Sequence, residues 1–125
     1  MKKPHIFNFS VAYADTDAEG VMYHARYIEV AERARSNWSK HVLIPDDDLG
    51  FVVRELNIRY MHPILLNDDF KVETITTKIG AASMTIEQKF VKDDEICAIM
   101  NITIAYLGSD MRPKAMPESI IKLVK

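Results

Sequence analysis

Residues 15–38, DTDAEGVMYHARYIEVAERARSNW, decide the fold. They run from an acidic turn, DTDAEG, into a segment where Tyr23, Tyr27, Val30, Ala31, Ala34 and Trp38 recur every three to four positions. That spacing draws one apolar stripe along an α-helix. The opposite side carries Arg26, Glu29, Arg33, Asn37 and Lys40, with Glu29 and Arg33 spaced for an i,i+4 ion pair. Alanines at 25, 31 and 34 make the helix thin, so another layer can pack close against it.

Outward from this helix the period changes. Upstream, Phe7, Phe9, Val11 and Tyr13 alternate with Asn8, Ser10 and Ala12, which predicts a strand. Downstream, Pro45 and DDDLG (46–50) end the helical region. Leu56, Ile58 and Tyr60 then alternate with Asn57 and Arg59, and HPILLNDD (62–69) reads as a connection. Residues 70–79 are rich in Val, Ile and Thr, but their alternation slips near Thr74, as at a bulge or a strand buried on both sides. Met84, Ile86 and Phe90 alternate with Thr85, Glu87 and Lys89, and KDDE (92–95) makes a tight turn.

Residues 96–107 are almost wholly apolar, with Ile96, Ala98, Met100, Ile102, Ile104 and Tyr106 on one face. Cys97, Ile99, Ala105 and Leu107 make the other face apolar too, which suggests a central strand covered on both sides. MPESIIKLVK (116–125) reads as a short final helix. The order is strand, helix, four strands, and the tight late turns imply antiparallel pairing. One helix on one antiparallel sheet is an α+β arrangement. A single helix covers one sheet face, so the other face or an edge is expected to meet another subunit.

The chain has 125 residues, 48% hydrophobic and 27% charged, which fits one domain over 1–125. A net charge of −2 supplies no basic field for nucleic acid. A lone cysteine, Cys97, excludes an intrachain disulfide and fits a reducing cytoplasm. MKK followed by HIFNFSVAYA (5–14) imitates a signal peptide, but Pro4, His5, Asn8 and Ser10 interrupt the apolar run, so export is not expected. No stretch approaches the roughly 18 apolar residues of a membrane span.

DTDAEG admits three readings. As a calcium loop it offers Asp15, Asp17, Glu19 and Gly20 in the first half, but position twelve is Arg26, a cation where a bidentate carboxylate belongs. As a solvated turn it suits aspartates that bond nearby amides and complement a helix dipole. As a chemical site it sets a carboxylate just before a helix whose first amides lack partners and can stabilise an oxyanion. Gly20 lets the backbone turn tightly and a ligand approach. Carboxylate and oxyanion donors together suffice for acyl transfer.

YADTDAEGVMYHARYIEVAERAR (13–35) resembles the signature of the hotdog-fold acyl-CoA thioesterases, nearest the 4-hydroxybenzoyl-CoA thioesterase-like group and its Tol–Pal-associated bacterial members. RYMHPILLNDDFKVET (59–74), AASMTIEQKF (81–90) and RPKAMPESI (112–120) resemble further segments of the family, so the likeness covers nearly the whole chain. The resemblance implies a five-stranded antiparallel sheet wrapped around one long central helix. It implies hydrolysis of an acyl-CoA, or of an acyl carrier protein thioester, with no metal or cofactor beyond the coenzyme A of the substrate. Asp17 corresponds to the family's catalytic aspartate, as nucleophile or general base. The amide near His24 would bind the thioester carbonyl, and the imidazole would orient Asp17 or water, or assist proton transfer.

Gly20, Tyr23 and Tyr27 would shape the acyl pocket, with Asp15 a turn and capping residue. Lys78, Ser83, Arg112 and Lys114 are the candidates for coenzyme A. Some relatives with aromatic substrates carry basic residues just before the position of Ser83, where this chain has KIGAAS (78–83), which leaves Lys78 as the nearest cation. Substrate binding at a subunit interface implies a homodimer or homotetramer. Two rival functions share the motif: a hydratase or dehydratase acting on enoyl thioesters, and a non-catalytic acyl-thioester or protein-binding module. His5, His41 and His62 lack zinc-ligand spacing, and no G-x-S-x-G elbow exists.

Overall fold

The computed structural model of the protein describes residues 3–125, so Met1 and Lys2, the basic start of the signal-like segment, lie outside it. The chain runs β1 (His5–Ser10), a 3-10 turn (Tyr13–Asp15), α1 (Arg26–Trp38), β2 (Asp48–Tyr60), β3 (Asp69–Ile79), β4 (Ser83–Lys92), β5 (Glu95–Gly108) and α2 (Glu118–Val124). The strands form one sheet in the order β1-β3-β4-β5-β2, every pairing antiparallel. The α+β order expected from the sequence is the order observed.

Helix α1 lies on the inner face of this sheet. Tyr27 is 3% exposed, and Val30, Ala31 and Ala34 are fully buried. The small side chains let the sheet reach the helix backbone: Gln88 on β4 is fully buried, and its Nε2 donates to the Ala31 carbonyl at 3.0 Å. Ala25 is exposed and takes no part in that approach. One apolar cluster joins the helix to Phe70, Val72, Phe90 and Met100. A second, around Met84, Ile102, Ile104 and Tyr106, is closed by Ile120 and Val124 of α2.

Four local expectations shift. The helix has 13 residues and starts at Arg26, so it is shorter than its stripe suggested; Tyr23 and His24 belong to the turn before it. β1 stops at Ser10, and Tyr13 swings out to 84% exposure. β2 begins at Asp48, because Gly50 (φ 104°) accommodates a register shift that hid this half of the strand among acidic residues. The bulge of β3 lies at Thr76–Lys78. Thr74 broke the alternation for another reason: it is 1% exposed and accepts a hydrogen bond from Gln88 at 3.0 Å.

The KDDE turn is a two-residue hairpin loop, with Asp93 and Asp94 both at positive φ, 48° and 64°. The central strand is β4, and β5 lies between it and the edge strand β2. On the outer face of β5, Asn101 is exposed and Ile99 half-buried, so within one chain that face is only partly covered. Among the described residues no helix is long and apolar enough to cross a membrane.

Candidate active site

The acidic turn is a fixed piece of backbone. Gly20 N–H donates to the Asp17 carbonyl at 3.1 Å, Asp17 N–H donates to Val21 O at 3.0 Å, and Glu19 N–H donates to Asp17 Oδ1 at 2.9 Å. Gly20 sits at φ 80°, where a side chain would be strained even though the space around it is open. The 60s loop holds the turn from the other side: Met22 N–H donates to Ile64 O at 2.7 Å and Leu66 N–H to Gly20 O at 3.1 Å. That loop is stapled in turn by Asp68, which accepts from Leu65 N–H and from Lys92, both at 2.7 Å. Hydrogen bonding to Lys92 draws the Asp68 carboxyl below the usual range.

The two aspartates of the turn have different surroundings. Asp15 is 9% exposed, accepts from Ala12 N–H at 2.8 Å and stands 3.3 Å from the Arg26 guanidinium. Arg26 also reaches Glu29 at 2.8 Å and the Ala14 carbonyl at 3.0 Å. The cation that breaks the calcium pattern thus locks Asp15 in place. Asp17 is half-buried and lines an open groove of about 400 Å³ with Tyr13, Thr16, Gly20 and Leu66. Among the described residues no basic side chain pairs with it.

His24 is exposed, its ring 4.5 Å from that of Tyr23. Arg26 N–H bonds back to Tyr23 O and Ile28 N–H to Ala25 O, while no acceptor among the described residues takes the amides of His24 or Ala25. Those N–H groups precede α1 and are free to receive an anion. His24 lines a separate groove of about 300 Å³ with Val21, Tyr27, Tyr60 and His62. Within one chain, then, Asp17 and His24 face adjacent grooves and do not share one.

Tyr27 packs against Phe90 and, edge-on, Tyr60, and burial pushes its phenol up to about 12. It forms the wall of the His24 groove as part of the core. Tyr60, a residue with no role in the sequence reading, donates its hydroxyl to the His24 carbonyl at 2.6 Å. His62, read as a loop residue, lies in a loop but lines the same groove, 3.8 Å from Glu95.

The candidates for coenzyme A stand at the other end of the sheet. β2 pairs with β5 from Asp48↔Gly108 to Tyr60↔Ala98, so Tyr60 and Asp48 mark opposite ends. At about 3.3 Å per residue, those ends are some 30–40 Å apart. Ser83 and Lys114 both stand near the Asp48 end, where Tyr106 N–H bonds Ala82 O at 2.8 Å and Met116 N–H bonds Ala81 O at 2.9 Å. Lys114 is committed to an ion pair with Asp48. Among the described residues no carboxylate pairs with Lys78 or Arg112. Nor do three His, Cys, Asp or Glu side chains converge there as a metal site would require.

A five-stranded antiparallel sheet around one helix, with a glycine-closed acidic turn leading into the start of that helix, places the chain in the hotdog class of acyl-transfer proteins. The chain belongs to the thioesterase-like superfamily, whose family model matches residues 11–124. It is similar to the acyl-CoA thioesterase YbgC of Haemophilus influenzae, 33% identical over 91% of this chain and 89% of that protein. YbgC of Helicobacter pylori is 39% identical over 75% of this chain and 68% of its own length. Among solved structures, a Thermus thermophilus thioesterase complexed with coenzyme A and Zn superposes with a TM-score of 0.88 at 26% identity, covering 99% of both chains. The protein is a hotdog-fold thioester hydrolase.

Proposed function

We propose that the protein hydrolyses acyl-CoA thioesters to a carboxylic acid and free coenzyme A, with Asp17 as the acting carboxylate. The observation that carries this reading is Asp17 held on a rigid, glycine-closed turn and facing a groove, with the unclaimed amides of His24 and Ala25 a few residues on, at the start of α1. Those amides receive the thioester oxygen as it gains negative charge. Asp17 either attacks the carbonyl carbon or takes a proton from the water that does. The carbon–sulfur bond breaks, water supplies the new oxygen, and the thiol leaves with a proton. The His24 imidazole orients Asp17 or that water, or assists the proton transfer. Gly20, Tyr23 and Tyr27 bound the acyl group. No metal or further cofactor enters the scheme.

The substrate spans two protomers in this reading. Asp17 and the candidate cations Lys78, Arg112 and Lys114, with Ser83, stand at opposite ends of one sheet, too far apart for one thioester within one chain. The edge strand β2 supports pairing with a second copy: it is 13 residues long, unpaired on its outer side, and exposes Leu49 and Val53 at 50% and 55%. The working unit is a dimer or a tetramer of the cytoplasm, and an acyl carrier protein thioester is the alternative donor.

Free-thiol release from short, long and aromatic acyl-CoAs, with wild type and Asp17→Asn side by side, tests the function. Release by wild type that collapses in a correctly assembled mutant supports it. Equal release by both moves the chemistry away from Asp17. Hydration of crotonyl-CoA without thiol release would replace hydrolysis by an enoyl-thioester reaction, and binding without turnover would leave a binding module.

A further inference from the structure

We propose that Tyr60 is a positioning residue for the thioester carbonyl: through the His24 carbonyl it holds and polarises the peptide unit whose N–H, on Ala25, receives the reacting oxygen. The proposal rests on the thioesterase reading above and assigns a part to a residue outside the signature motif.

In a regular helix the His24 carbonyl would accept the N–H of Ile28. Here Ile28 N–H bonds instead to Ala25 O at 3.2 Å, and Arg26 N–H to Tyr23 O at 2.8 Å. The tightened turns leave the His24 carbonyl to Tyr60, whose hydroxyl donates to it at 2.6 Å across 36 residues of sequence. Tyr60 ends β2, and its ring stands edge-on to Tyr27, centroids 5.0 Å apart at 88°. Tyr27 is 3% exposed, so the ring that steadies Tyr60 belongs to the core. A strand end thereby fixes the direction of one peptide plane in a turn whose own backbone hydrogen bonds leave the His24 carbonyl free.

That plane matters because its two polar ends are linked. Among the described residues no peptide bond is cis, so the His24 C=O and the Ala25 N–H point in opposite directions. Fixing the carbonyl toward Tyr60 aims the N–H away from Tyr60, and no acceptor among the described residues claims it. An amide whose carbonyl accepts a hydrogen bond is also a stronger donor, because the two bonds polarise the same unit. Burial raises the Tyr60 phenol above its ordinary range, so it remains a proton donor throughout the working pH of a hydrolase.

The test replaces Tyr60 by Phe, which keeps the ring against Tyr27 and removes only the hydroxyl. Wild type, Tyr60→Phe and Asp17→Asn are compared on one acyl-CoA that wild type hydrolyses. The expected result is a kcat about tenfold lower in Tyr60→Phe, a modest share of what a direct oxyanion donor supplies, with KM little changed. A second readout needs no turnover. A ketone analogue, with a methylene between the sulfur and a ¹³C-labelled carbonyl, should show a downfield carbonyl shift on binding wild type and a smaller one on binding Tyr60→Phe.

An unchanged kcat and an unchanged carbonyl shift in Tyr60→Phe, with Asp17→Asn inactive, would overturn the role of Tyr60 and leave the thioesterase reading standing. A rise in KM alone with the full carbonyl shift retained would reduce Tyr60 to packing and overturn it equally. No hydrolysis of any acyl-CoA by wild type, and no shift of the bound ketone, would bring down both.

Discussion

Lys114 closes an ion pair on Asp48, whose side chain is 1% exposed and also accepts the hydroxyl of Tyr106. Lys114 itself is half exposed at 51%, so the pair joins solvent to the end of the core. Its hydrogen bond, followed by that of Tyr106, draws the Asp48 carboxyl below the ordinary range. Lys114→Met should lower the denaturation midpoint by leaving a buried carboxylate with one partner fewer. A rise in KM for acyl-CoA at unchanged midpoint would instead give Lys114 to the phosphates of coenzyme A.

The same trio sets a pH dependence at both ends. Asp48 is depressed in the folded state, so its contribution is complete above the ordinary carboxylate value of about 4 and is lost as pH falls through the folded value. Tyr106 is pushed up to about 12, chiefly by burial and then by Asp48. Its contribution is complete below the ordinary tyrosine value of about 10 and is lost as pH rises toward the folded one. Lys114, raised by its bond to Asp48, follows the same alkaline sign. Denaturation midpoints measured from acid to alkali should show both losses, and Asp48→Asn should flatten the acid one.

Gly20 is required for its conformation, since a Cβ there would meet nothing within 4 Å but φ is 80°. Gly20→Ala should cost about 1–2 kcal/mol in chemical denaturation. It should also lower kcat by displacing the Asp17 turn. Unaltered stability would mean that the turn can relax.

Gln88, fully buried, donates from Nε2 to Ala31 O and Thr74 Oγ1 and accepts from Arg35 at 2.9 Å. Gln88→Leu strands the half-buried Arg35 guanidinium and the Thr74 hydroxyl. We expect a loss of about 3 kcal/mol in denaturant titration, from the usual cost of unsatisfied buried groups. A neutral outcome would show that water replaces the glutamine.

Val53 is 55% exposed near the middle of β2, the edge strand whose outer side has no partner. Val53→Lys should shift the protein toward monomer in analytical ultracentrifugation and reduce thiol release in proportion. An unchanged assembly would place the subunit contact elsewhere on the sheet.

The stripe from Tyr27 to Ala34 was legible because helical period is a local property of the chain, and Ala31 and Ala34 are the thin, buried face it foretold. The Asp93–Asp94 turn was legible for the same reason, two residues setting one hairpin. The first half of β2 was not, since Asp48 and Gly50 carry turn chemistry in sequence and become strand only by pairing with Gly108 and Leu107. The slip in alternation near Thr74 was legible, and the bulge lies close by at Thr76–Lys78, but the burial of Thr74 itself was not, because its partner, Gln88, lies on another strand.

The site divides along the same line. Asp17, Gly20 and His24 stand within eight residues of one another, so the turn and the helix start could be read from the sequence. Tyr60 reaching the His24 carbonyl spans 36 residues, and Asp48 meeting Tyr106 spans 58. The sequence by itself determined the helix, the order of elements along the chain and the acidic turn, which depend on periods and turn residues a few positions long. Only the tertiary structure decided which peptide Tyr60 grips, that Lys114 belongs to Asp48, and that Asp17 and the candidate cations lie at opposite ends of the sheet. Those facts depend on strand register, which brings distant residues into contact and leaves no local pattern.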